Sequence, residues 1–260
     1  GILPHYQNNR WGILPHCEAG SLAYWSLAYW KCHFFTKYQM EILYRIGYAV
    51  CHQLPERTIF IDGKQLPVCA RCIGIYIGSL ISIFFILFSK RRKSNAIPVR
   101  YISFTFVFLM CIMAIDGVTS YFGIRETTNS LRLLTGLSVG IPLPFFIYPI
   151  LMDNLSESSR EEQILKSGYE LILLILLAIV SYLLIFHFNT KIYYPIALLT
   201  GIGIFSLHYL LLVTIFSLIF YNFEPKMKIL KPFLIFLSGF ILFFIEFITL
   251  TKLHTIINQQ

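Results

Sequence analysis

Cys51, His52, Cys69 and Cys72 fall within 22 residues, in the stretch CHQLPERTIFIDGKQLPVCARC, and the apolar run IGIYIGSLISIFFILFS follows at once. The two-residue gap of Cys69-Ala-Arg-Cys72 lets both sulfurs reach one ion, and Cys51 or His52 can complete a tetrahedral set, whose mixed thiolate and imidazole ligands suit zinc. The same atoms suit thiol chemistry, because a CxxC at a helix start with Arg71 between the thiols favours the thiolate. Such a pair needs an electron partner, and Cys51 and Cys111 are the available cysteines. The bland reading, small residues at a membrane edge, accounts for Cys111 but poorly for the combination of CH and CxxC.

A second polar group lies in DGVTSYFGIRETTNSLRLLTG, residues 116–136. Asp116 stands near the end of an apolar run, where an unpaired carboxylate is expensive, so it needs Arg71, Arg125, Arg132 or a metal beside it. Thr127, Thr128 and Asn129 are good caps for the helix that follows. The expected pocket therefore holds Arg71, Asp116, Arg125, Thr127, Asn129 and Arg132. Its arginines either pair with Asp116 or hold an anionic group such as a lipid phosphate or a small-molecule ligand.

The elements that must position these groups follow from composition. Of 260 residues, 57% are hydrophobic and 13% charged, which lies outside the balance of soluble domains. The mean hydropathy is +0.68. The expected fold is all-α, a polytopic integral membrane bundle, since helices satisfy their own backbone in lipid and no strand-like alternation suggests a barrel. Six spans are expected at 69–89, 98–121, 131–152, 169–187, 193–220 and 232–250. Met40, Leu43, Ile46 and Val50 have helical spacing and predict a short interfacial helix before the Cys/His loop. Pro55, Asp62-Gly63 and Pro67 predict that this loop turns back, bringing Cys51 towards Cys69.

Three regions are expected along the chain: a leader over 1–39, a membrane domain with three spans over 40–152, and three further spans over 153–260. In the leader, GILPH occurs twice and SLAYW is duplicated in tandem. It reads as an appended or mistranslated segment ahead of a native start at Met40, so Cys17, Cys32 and His33 are discounted as ligands. The net charge of +8 comes from basic groups flanking apolar runs, which is a topology signal and not a nucleic-acid footprint. Placing Lys90–Lys93, Lys226, Lys228 and Lys231 inside, in a cell membrane, puts the Cys/His site on the outer face. Whatever the absolute topology, the Cys/His loop precedes the first span and FGIRETTNS joins the second to the third. An odd-even count then puts both on one face.

Gly74-x-x-x-Gly78 and Gly136-x-x-x-Gly140 offer close helix approach, and their packing together would make CxxC and Arg132 neighbours. Pro142, Pro144 and Pro149 predict a bent or broken third span. His208 and Glu246 are intramembrane ionisable residues, each alone in sequence, and each reads as a single hydrogen-bonded buried polar residue.

Cys51-His52-Gln53-x-Pro55-x-Arg57, then Gly63, Pro67-x-Cys69-x-Arg71-Cys72-x-Gly74-x-Tyr76-x-Gly78, resembles the signature of a family of uncharacterised prokaryotic membrane proteins, domain of unknown function 2085. Asp116-Gly117-x-Thr119, Gly123-x-Arg125, Thr127-x-Asn129, Arg132 and Thr135-Gly136 are similar to its second block. Ile59, Ser120 and Thr127 depart from the pattern, Thr127 keeping a hydroxyl. The resemblance covers residues 51–140, implies that the two blocks work together, and brings no activity with it. Three readings stand: a zinc or other transition-metal site, structural if four protein ligands close it and hydrolytic if one position stays open to water; a membrane thiol-disulfide oxidoreductase; and a lipid- or anion-binding transporter. No phosphate-binding glycine loop points to a nucleotide.

Overall fold

The computed structural model describes residues 25–155, 160–187, 192–220 and 230–257. Residues 1–24, the FNTK connection and Lys226 and Lys228 lie outside them. The helices are α1 (Trp25–Val50), α2 (Ala70–Phe88), α3 (Arg100–Tyr121), α4 (Asn129–Gly140), α5 (Pro142–Leu155), α6 (Gly168–His187), α7 (Tyr193–Ile219) and α8 (Leu230–Ile257). α2, α3, α4 with α5, α6, α7 and α8 give six segments long and apolar enough to cross a membrane. α1 is longer than the amphipathic pattern from Met40 predicts and starts at Trp25, continuing through the residue expected to open it.

The centre of the bundle is α2 against α4 and α5. Buried residues make up 50% of the α2 span and 61% of Asn129–Leu155, but only 11% of the α8 span. On the outer helices, Phe104, Phe108, Ile115, Ile172, Leu176 and Phe240 are exposed, as an apolar belt meeting lipid requires. The two glycine pairs face each other. A Cβ on Gly136 would lie 2.2 Å from the Arg71 carbonyl oxygen, and one on Gly74 would lie 2.4 Å from that of Leu133. Only hydrogen fits there, so the backbones meet where lipid gives helices no hydrophobic reason to associate.

The third span breaks between α4 and α5 at Ile141, next to Pro142. Pro144 has no N–H to give to the Gly140 carbonyl. The Ser79 hydroxyl donates to that oxygen at 3.0 Å, and Ser82 donates to the Ile141 oxygen at 2.8 Å. Two hydroxyls of α2 thus satisfy the acceptors at the break inside an apolar core.

Short strands mark the two faces. At one, β1 (Phe60–Ile61) pairs antiparallel with β2 (Lys64–Gln65) across Asp62 and Gly63, whose φ values of 53° and 68° suit a hairpin turn of left-handed residues. At the other, β3 (Ser94–Ala96) runs parallel to β4 (Arg160–Gln163), so the connections after α2 and after α5 share a face, as the odd-even count requires. Arg91 pairs with Glu170 on that side. The last three spans are joined to the first three: Tyr193 Oη donates to the Gln65 carbonyl at 3.0 Å, and Gly203 of α7 sits against the Tyr76 backbone of α2.

Candidate metal centre

The end of α1 and the start of α2 are brought together by Gly47 and Gln53. A Cβ at Gly47 would fall 2.1 Å from the Pro67 carbonyl oxygen, so α1 touches the returning loop there. Gln53, at φ 52°, donates from Nε2 to the Tyr44 and Pro67 carbonyls at 2.8 and 2.6 Å. Gln65 Nε2 donates to the Gln53 carbonyl at 2.8 Å. These bonds fold the loop back as its turn residues predict and deliver Cys51 to Cys69, whose backbone N–H donates to Cys51 Sγ at 3.3 Å.

Cys51, Cys69 and Cys72 have their sulfurs within 4.8 Å of one another, Cys51 buried and the other two half-buried. Sulfurs around one tetrahedral zinc, at about 2.3 Å from it, lie about 3.8 Å apart, so three thiols in this arrangement fit one ion with small side-chain movement. His52, expected as an alternative ligand, is exposed and outside this group. It follows Cys51 at the helix end, where consecutive side chains point in different directions.

Hydrogen bonds from the Cys51 and Cys72 side chains hold the Cys69 thiol well below its ordinary value, whereas Cys51, by sharing with Cys69, is pushed up. Three sulfurs this close hold one thiolate first and resist the second and third, which a cation would relieve. Cys69 is also the N-cap of α2, where helix N–H groups favour negative charge.

Beside the sulfurs lies the polar pocket. Asp116, only 3% exposed, accepts at Oδ1 from Arg125 Nη2 at 2.5 Å and Thr127 Oγ1 at 3.1 Å. At Oδ2 it accepts from Arg71 Nη2 and, at 3.3 Å, from Thr135 Oγ1. Arg132 donates instead to Asn129 Oδ1 at 3.0 Å, and Asn129 Nδ2 donates to the Thr58 carbonyl at 3.1 Å, tying α4 to the Cys loop. Thr128 caps α4 by accepting from the Leu131 N–H at 3.3 Å. The loops before α2 and before α4 thus share one site. Thr135 is outside the pocket expected from sequence: a hydroxyl nearly two turns into α4 is recognisable as a member only once the face of α4 towards Asp116 is known.

A family sequence profile described as predicted membrane protein (DUF2085) matches residues 51–146, the segment that carries all of these groups except the preceding helix. An uncharacterised protein of Methanocaldococcus jannaschii is 37% identical over 119 residues, which is 46% of this chain and 74% of that protein. The chain belongs to the DUF2085 family. A second uncharacterised relative, from Methanothermobacter thermautotrophicus, is 38% identical over 97 residues, 36% of this chain and 80% of that protein. No solved structure matches the chain. DUF2085 similarity ends near α5, so α6 to α8 contribute to this protein outside the part matched by the family profile.

That added part holds a polar pair the sequence kept apart. His208 Nδ1 lies 3.2 Å from Glu246 Oε1, and His208 Nε2 lies 3.4 Å from Tyr76 Oη. The two ionisable residues are therefore partners and not the separate satisfied groups expected. Their pairing, across 38 residues, depends on how α7 and α8 are rotated. A double-mutant cycle with His208→Ala and Glu246→Ala in unfolding of the detergent-solubilised protein is expected to give a coupling of about 0.6 kcal/mol and no more than about 1.7 kcal/mol. Strict additivity would show that the pair contributes nothing to holding α8.

Proposed function

We propose that this DUF2085 protein binds one transition-metal ion, zinc by ligand chemistry, through Cys51, Cys69 and Cys72 at a membrane face. The observation that carries the reading is the convergence of three thiols from two segments 18 residues apart, within 4.8 Å, at a helix N-terminus. Thiolate ligands suit zinc, and a set of three protein ligands leaves its fourth tetrahedral position to water or a ligand. His52 is the protein residue nearest in sequence that could close it. With that position open, the centre can polarise a bound group or lower the pKa of a bound water, and Arg71, Arg125, Asp116, Thr127, Asn129 and Arg132 form the polar wall beside it.

Metal content per chain by elemental mass spectrometry, on protein purified without chelator or added metal, tests the reading alongside a free-thiol count. About one zinc per chain is expected, falling to near zero in Cys69→Ser/Cys72→Ser and staying near one in His52→Ala. No metal, with two thiols appearing only after reduction, would replace this reading by thiol-disulfide exchange.

The basic cluster Lys90 to Lys93 lies on the opposite face from the sulfurs, and the rule that positive loops stay inside then puts the centre outside. A cysteine in place of Glu56, exposed in the Cys loop, is expected to react in intact cells with a membrane-impermeant maleimide. Labelling only after lysis would invert the topology.

A further inference from the structure

The polar pocket carries an unbalanced charge. Arg57, Arg71, Arg125 and Arg132 stand around it, and Asp116 is the carboxylate among them. Asp116 has no acceptor capacity left: four donors, two on each oxygen, fill the roughly four lone-pair sites of a carboxylate. Among the described residues no carboxylate lies within ion-pair distance of Arg57 or Arg132. Among the described residues the Arg132 guanidinium gives a hydrogen bond only to the neutral amide oxygen of Asn129, although it carries five N–H donors. Arg71 spends Nη2 on Asp116 and its Nε is closed off inside the protein, so the part of its guanidinium left for a ligand is the exposed fifth of the side chain. A guanidinium half-used at a membrane face, with a second and third close by, costs energy unless something anionic takes the remaining donors.

Three separate elements, tied to one another, carry these arginines. Arg57 ends the short turn Pro55–Arg57, Arg71 lies in the first turn of α2, and Arg132 in the first turn of α4. The bond from Asn129 to the Thr58 carbonyl holds the Arg57 turn against the start of α4, and the Gly136 contact with the Arg71 carbonyl holds α2 against the same helix. Arg132 is within electrostatic range of Arg57, Arg71 and Cys69. Donors carried by three separate elements suit an anion with three or more oxygens better than a planar carboxylate with two.

We infer that Arg57, Arg71 and Arg132 bind a phosphate-class oxyanion beside the three cysteines, with Asp116 and Arg125 fixing the Arg71 arm. This gives a ligand class to the polar wall of the proposed metal centre, but the binding itself uses guanidinium groups and stands whether or not the sulfurs hold metal. A soluble phosphate and a lipid phosphomonoester headgroup offer the same chemistry at this face.

The test uses the full chain in nanodiscs of phosphatidylcholine, with inorganic phosphate titrated calorimetrically in one arm. In the other, phosphatidic acid is added to the discs and bound lipid is counted by native mass spectrometry. Saturable binding in at least one arm is expected, weakened by at least about tenfold in Arg132→Gln and by less in Arg132→Lys, which keeps the charge and loses the fork. Arg57→Gln, at an exposed position, is expected to weaken it about threefold or more and serves if Arg132→Gln does not fold. Cys69→Ser/Cys72→Ser is expected to bind within about threefold of wild type, which separates this site from the metal reading. Saturation with inorganic phosphate alone identifies a soluble ligand, and saturation with phosphatidic acid alone a lipid headgroup. Binding in neither arm, or equal binding by wild type and Arg57→Gln, overturns the inference.

Discussion

Asp116→Ala is expected to destabilise the folded protein by about 3–5 kcal/mol, the cost of leaving the largely buried Arg71 without its counter-charge. Asp116 lies in α3, and its four donors come from three other places: Arg71 on α2, Arg125 and Thr127 in the loop, and Thr135 on α4. Removing the carboxylate takes the acceptor from all four at once, and of these Thr135 can still donate to the Arg132 carbonyl. Arg125, about half exposed, can turn towards water, but Arg71, about one-fifth exposed, is held by the α2–α4 contact. Arg125→Gln should therefore cost about 1 kcal/mol or less, within the range of exposed pairs. Asp116→Asn restores shape but presents an NH2 group where an arginine needs an acceptor, so only partial recovery is expected. Thermal or denaturant unfolding in a fixed detergent measures all three. An Asp116→Ala protein within about 1 kcal/mol of wild type would mean that water replaces the carboxylate and that the pocket is wetter than its burial implies.

Gly136→Val is the second large effect expected, because its Cβ would fall 2.2 Å from a backbone oxygen that cannot swing aside as a side chain can. Relieving the clash means parting α2 from α4 along the seam that also contains Gly74, Gly78 and Gly140. A loss of about 3 kcal/mol or more is expected, at the upper end for overpacking. The damage reaches function because the oxygen belongs to Arg71, between the CxxC cysteines. Metal content should fall with stability even though no ligand is changed. Gly117→Ala is the matched control: nothing lies within 4 Å of its added Cβ, and alanine favours helix, so stability should hold or rise by up to about 1 kcal/mol. If Gly136→Val unfolds like Gly117→Ala, the two glycine stripes do not set the approach of these helices.

Much of this architecture is legible in the sequence because the bilayer restricts the choices. Apolar runs of span length must be helices, and successive connections must alternate in face, so DGVTSYFGIRETTNS had to share a face with the Cys/His loop. Pro142 and Pro144 remove backbone donors wherever they are placed, so the broken third span follows from local covalent chemistry. Asp116 announces a cationic partner because its charge is untenable alone in lipid. Cys69 and Cys72 announce a two-sulfur arm through their spacing.

Other features depend on helix rotation and depth, which apolar sequence barely encodes when the whole surface of a helix is hydrophobic. Nothing local distinguishes His52 from Cys51 as the side chain that joins Cys69 and Cys72; how α1 ends against Pro67 turns Cys51 inward and leaves His52 at the surface. Thr135 joined the pocket because α4 turns that face to Asp116. His208 and Glu246, read singly as satisfied residues, became a pair once α8 packed on α7, and Tyr76 reached them because Gly203 lets α7 close on α2. The sequence by itself determined which segments cross and which polar groups share a face, through the cost of unpaired charge and backbone in hydrocarbon. The tertiary structure alone decided which atoms touch, because contact between helices is set by close packing at small residues and not by hydrophobicity that lipid satisfies equally well.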